Sequence, residues 1–241
     1  MWHPCSKGRD ATAPPTKQVL PDEYNPAVRW TFVLLLSGFW LAAPAGSYAQ
    51  RPDAQSHIGL WASHSVAPGT VLGKIPDGRL RILGLRYHYR LVPTPTQTQR
   101  GYEGPTLTYT ADLARAGLHI PQQAVPGPYF SSDLGAETAL TTTGAGVYPM
   151  GLRLLFSSDG PLRPFLAGHT GLLYFSAPVP DERGRRFNFA AALGAGLSVP
   201  LSERLSLTVG YRYHHLSNGF RGSINPGFDA SVLYLGLDRG L

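Results

Sequence analysis

Between Arg79 and Val92 the chain alternates in steps of two, with Leu83, Leu85, Tyr87, Tyr89 and Leu91 on one side of an extended chain and Arg86, His88 and Arg90 on the other. Successive side chains of a strand point to opposite faces, so the pattern predicts a strand with one apolar and one polar face. The same period recurs from Thr106 to Leu113, where Leu107, Tyr109, Ala111 and Leu113 oppose three threonines and Asp112. It recurs from Gly144 to Phe156, which sets Tyr148, Met150, Leu152, Leu154 and Phe156 on one side, and from Arg186 to Val199, where Phe187, Phe189, Leu193 and Leu197 face away from small and polar residues. Gln55 to Ser65 reads as a first strand with Ile58, Leu60 and Ala62 on one face, and Leu162 to Ala177 as a less regular one. Arg204 to Ser217 and Phe228 to Asp238 complete a set of eight.

The segments between these runs carry turn chemistry. Ser157-Ser158-Asp159-Gly160 and Pro200 to Glu203 read as tight turns, Pro93 to Gly101 as a polar connection and Pro178 to Arg185 as a charged loop. Ala114 to Thr143, with several Pro and Gly, reads as a long loop. Eight strands of this length with alternating faces predict an all-β fold, an eight-stranded antiparallel transmembrane β-barrel. With both ends of the chain on the inner side, the first, third, fifth and seventh connections are the outer loops. The long third and the short fourth and sixth connections fit that orientation. A barrel of this size holds only side chains inside. Arg86, Arg90, Arg153 and Arg212 are expected to fill it as charge pairs, with Asp112 among their partners. Tyr87, Tyr89, Tyr109, Tyr148, Tyr211 and Tyr213 are expected to form girdles at the membrane interfaces.

Upstream of the strands, Arg29 leads an apolar run to Ala43, and Ser47-Tyr48-Ala49 supplies small residues before Gln50. This predicts a secretory signal peptide cleaved after Ala49. The polar, Pro-rich residues 1–28 read as an extension from an over-long start. The expected organisation is therefore residues 1–49 as extension and signal peptide and 50–241 as the barrel domain. The sole cysteine, Cys5, lies before the cut, so disulfides do not hold the mature domain. The chain has 28 Gly and 22 Pro among 241 residues, which suits a strand-and-turn protein. Its net charge of +6 is spread over scattered Lys and Arg, with no basic helix or basic-aromatic run. That distribution argues against nucleic acid and for an anionic membrane surface.

The candidate chemistry lies near the C-terminus, in Tyr211-Arg212-Tyr213-His214-His215-Leu216-Ser217-Asn218-Gly219 and Asn225-Pro226-Gly227-Phe228-Asp229. His215 and Ser217 have the parity of Leu207, Val209 and Tyr211 and so continue the apolar face. On the return strand Asp229 has the parity of Leu233 and Leu235, which permits all three to share one surface. Hydroxyl, imidazole and carboxylate are the parts of a hydrolytic triad. Asn218, through its side chain and backbone, and Gly219, through its backbone, are the nearest oxyanion donors. Ser, Asn and Gly are also ordinary turn residues, so by composition alone the segment could be a strand running into a turn. His57, His64, His88, His169 and His214 show no metal-ligand spacing with carboxylates. His214, of opposite parity, is expected to hydrogen-bond in the lumen.

His-x-Ser-Asn-Gly, followed by Asn-Pro-Gly and an acid fourteen residues after the His, resembles the lipid A 3-O-deacylase family, the PagL-type outer-membrane acyloxyacyl hydrolases. The segment Leu107 to Leu113 also resembles that family. The resemblance implies an eight-stranded outer-membrane barrel with a Ser-His-Glu triad on its outside. By position, His215 takes the place of the His, Ser217 of the Ser, and Asp229, one methylene shorter, of the Glu. It implies hydrolysis of an ester-linked acyl chain of lipid A in the lipopolysaccharide of the outer leaflet, without metal or other cofactor. The sequence leaves a homodimer open. Two rivals stand beside this reading: a non-enzymatic small outer-membrane barrel with a structural or adhesion role, and a soluble β-sandwich or lipocalin-like binder.

Overall fold

The computed structural model describes residues 55–69, 71–75, 77–91, 105–121, 139–156 and 161–241. The expected signal peptide and Cys5 lie outside the described residues, as do most of the second and third connections and the turn at Ser157 to Gly160. The strands are β1 (Ser56–Gly69), β2 (Arg79–Arg90), β3 (Thr106–Ile120), β4 (Leu140–Leu155), β5 (Arg163–Val179), β6 (Arg185–Pro200), β7 (Leu205–Ser217) and β8 (Phe228–Gly240). Each pairs antiparallel with the next, and β8 pairs with β1, closing the barrel. Closure leaves no sheet edge unpaired, which is the condition for strands to exist in hydrocarbon.

Across the lipid-facing belt the predicted faces are the observed ones, Tyr148 excepted. Leu83, Leu113, Leu152, Leu166, Leu193 and Leu233 stand on the outer surface, with Leu193 70% exposed. An apolar belt this broad suits lipid rather than water as its solvent. Beyond the belt at the outer end the alternation inverts. Arg115 and His119 of β3 point outward, while Ala116, Leu118 and Ile120 pack inside. This is why the Ala114 to Thr143 stretch is only partly a loop: β3 runs on to Ile120, and β4 begins at Leu140. Here the strands rise past the membrane, where polar residues belong outside, and composition alone does not separate such residues from a loop.

The lumen is filled. Arg86 forms a two-pronged pair with Asp112, at 2.6 Å from Nε and 2.7 Å from Nη2, and the two residues are register partners on β2 and β3. Asp238 gathers His88 (3.1 Å), Thr208 (2.8 Å) and, more distantly, Arg153 (3.8 Å). Arg212 departs from the expected charge pairing. Its guanidinium lies over the rings of Trp61 (4.8 Å) and Tyr234 (4.7 Å), and neither Nη has a hydrogen-bond partner among the described residues. Glycines make room for these rings: a Cβ on Gly84 would lie 2.4 Å from the Trp61 indole, and one on Gly210 would lie 2.5 Å from Tyr234.

Tyr148 corrects the expected girdle. It is fully buried, and its hydroxyl meets His214 Nε2 at 2.8 Å. The register of β4 slips between Val147 and Met150, and this bulge turns Tyr148 inward while Met150 remains outside. His214 is therefore in the lumen, as its parity predicts.

Candidate active site

β7 and β8 form the last hairpin, and their register puts His215 directly opposite Asp229. His215 Nδ1 lies 2.6 Å from Asp229 Oδ1; the His side chain is 20% exposed and the Asp side chain 0%. An ionised carboxylate only accepts, so the ring proton belongs on Nδ1, which leaves Nε2 as an acceptor. The other carboxylate oxygen, Oδ2, accepts the backbone N–H groups of Leu72 (2.8 Å) and Gly73 (2.7 Å) from the first outer connection.

Ser217 is the last residue of β7, on the same outward face as His215 and across from Phe189 of β6. Its Oγ accepts from Asn225 Nδ2 at 2.9 Å and from the Gly219 N–H at 3.1 Å, and its hydroxyl faces Asn225 Oδ1 at 3.2 Å. Among the described residues neither Ser217 nor His215 Nε2 has a hydrogen bond to the other. Substrate-free sites often leave this link open until substrate is seated. The three residues picked out by parity are thus brought to one patch of the outer wall, with the His–Asp contact formed.

A family model described as lipid A 3-O-deacylase (PagL) matches residues 82–238, which takes in β3 to β7, most of β2 and β8, and all three of these residues. The chain belongs to the lipid A 3-O-deacylase family. No curated protein matches it. Among solved structures, the outer-membrane enzyme PagL is similar at 20% identity and a TM-score of 0.49, over 74% of this chain and 97% of that one. Neisserial surface protein A matches at 12% identity and a TM-score of 0.51, over 79% of this chain and 100% of that one, and shares the fold. This deacylase-family member is an outer-membrane β-barrel, which removes the soluble-binder reading.

In the deacylase-family barrel the seventh connection, residues 218–227, shapes the site. Of the expected oxyanion donors, Asn218 is turned into the loop, while the Gly219 N–H points at the Ser217 hydroxyl. Asn218 is buried, with its N–H on Asn225 Oδ1 (3.0 Å) and its Nδ2 on the Ile224 carbonyl (2.7 Å), while the Gly219 N–H is on Ser217. Gly219 has φ +64°, and a Cβ there would lie 2.7 Å from the Phe189 ring. The fifth connection and the start of β6 brace this loop: Arg185 Nε donates to the Arg221 carbonyl at 2.6 Å, and the Ser223 N–H to that of Arg183 at 2.9 Å. Asn225 is the residue that sequence reasoning passed over. Asn-Pro-Gly marks a turn, but only the path of the loop reveals that its amide, rather than that of Asn218, reaches the Ser217 hydroxyl.

Proposed function

We propose that this protein hydrolyses an ester-linked acyl chain of lipid A, at the 3-O position that its family's name specifies, with Ser217 as nucleophile, His215 as general base and Asp229 as the orienting acid. The observation that carries the reading is the 2.6 Å contact between His215 and Asp229, on the outward face of the barrel and two residues along β7 from Ser217. A triad is useful on an outer wall only if its substrate lies in the surrounding lipid, and acylated lipid A of the outer leaflet is such a substrate.

Ser217 Oγ attacks the ester carbonyl while His215 Nε2 takes its proton. The tetrahedral intermediate collapses as the imidazolium returns that proton to the leaving sugar oxygen. A water, deprotonated by His215, then cleaves the acyl-serine and releases the fatty acid. Asn225 Nδ2, beside the nucleophile, is suited to donate to the developing oxyanion. None of these steps calls on a metal or organic cofactor.

The test is the mass profile of lipid A from cells expressing the protein or its variants. Wild type should lower the mass by one acyl chain, and Ser217→Ala and His215→Ala should leave lipid A intact. Asp229→Ala should slow the reaction without abolishing it. Full deacylation by either of the first two variants rejects the assignment.

A further inference from the structure

Asp229 has more partners than a carboxylate needs to orient one imidazole, and two of them come from a distant part of the chain. The Leu72 and Gly73 N–H groups converge on its Oδ2, and the Leu72 N–H also lies 3.3 Å from the Tyr213 hydroxyl. The connection between β1 and β2 is fixed in this place by several contacts of its own. The Lys74 N–H donates to the Pro226 carbonyl at 2.8 Å, and Ile75 bridges to Phe228. The approach is so close that a Cβ on Gly73 would lie 2.9 Å from the Gly227 backbone. Gly227, at φ +66°, in turn has only 3.0 Å between a would-be Cβ and His215 Cε1.

We propose that the first outer connection is a positioning element of the catalytic acid: the backbone amides of Leu72 and Gly73 lock the Asp229 carboxylate so that its other oxygen holds the His215 ring. The proposal rests on the triad reading and deepens it. A short carboxylate with one partner can swing about its terminal torsion, and the imidazole swings with it. Two amides on Oδ2 remove that freedom and help satisfy a buried anion whose other partners are the His215 ring and the Tyr213 hydroxyl. They also give Asp229 a fixed reach, set by strand register on one side and by loop backbone on the other. Leu72, Gly73 and Tyr213 touch neither the nucleophile nor the proton in flight; they act through Asp229.

The experiment compares kcat and KM on purified lipid A in micelles for wild type, Gly73→Ala, Leu72→Pro, Asp229→Ala and the double variant Gly73→Ala/Asp229→Ala, with folding verified by heat-modifiable electrophoretic migration. Gly73→Ala forces the connection away from Gly227, and Leu72→Pro replaces one donor by a ring methylene set against Asp229 Oδ2, without adding a group near Gly227, which keeps the test open should the first variant fail to insert. Loss of hydrogen bonds to a charged group should lower kcat roughly 10- to 100-fold with KM little changed. Because the connection acts only through the acid, the double variant should be no slower than Asp229→Ala alone. Wild-type kcat in both single variants, or losses that multiply in the double variant, would overturn the proposal. Activity surviving in Ser217→Ala would instead defeat the triad reading beneath it.

Discussion

The His215 imidazole sits between two environments. Its Nδ1 is tied to a carboxylate with no solvent exposure, while the side chain itself is 20% exposed. This division makes one ring nitrogen structural and leaves the other available for proton transfer. The neighbouring Ser217 hydroxyl is held by Asn225 and the Gly219 N–H. If Asn225 Nδ2 shifts from the hydroxyl to the oxyanion during attack, Asn225→Ala should lower kcat about 100- to 1,000-fold, as loss of a single oxyanion donor does elsewhere. Asn225→Asp, which replaces the donor by an anion, should be at least as slow. Steady-state kinetics on lipid A checks both. His215, Ser217 and Asp229 were legible in the sequence because strand parity is a local property. Asn225, Leu72 and Gly73 were not, because their part in the site depends on where two loops run, and Leu72 and Gly73 contribute only backbone, which carries no residue signature.

At the scale of the strand, alternation told inside from outside wherever the period held. It failed at the β4 bulge, where one extra residue sends Tyr148 into the lumen, and at the outer end of β3, where the polarity of the two faces inverts above the lipid. Both are departures from a single fixed period, which is the assumption under any reading by parity. Register also sets which buried charges meet. Arg86 and Asp112 face each other across β2 and β3, with side chains 5% and 0% exposed. Removing one partner of such a pair strands a buried charge, so Asp112→Ala should cost about 3 to 5 kcal/mol. Urea unfolding of the micelle-inserted barrel, followed by the fluorescence of lumen-facing Trp61, measures it.

The barrel formed by the described strands is a closed cylinder whose interior is occupied by rings, ion pairs and, at its outer end, by Leu80, Leu118, Leu173 and Phe175. Near the inner end a cavity of about 110 Å³ remains, lined by Arg90, Arg153 and Asp238 among others. Fold class and strand number followed from the sequence because the membrane imposes one apolar face on every strand.

A plugged interior and a site on the exterior wall together mean that nothing reaches the proposed nucleophile along the barrel axis. Substrate must arrive, and fatty acid and trimmed lipid must depart, by sideways diffusion within a single leaflet. The relevant concentration is then a mole fraction in two dimensions, not a molarity. At fixed total lipid A, diluting mixed micelles with inert detergent should slow turnover in proportion to the falling surface fraction, while adding buffer alone should leave the rate per enzyme unchanged.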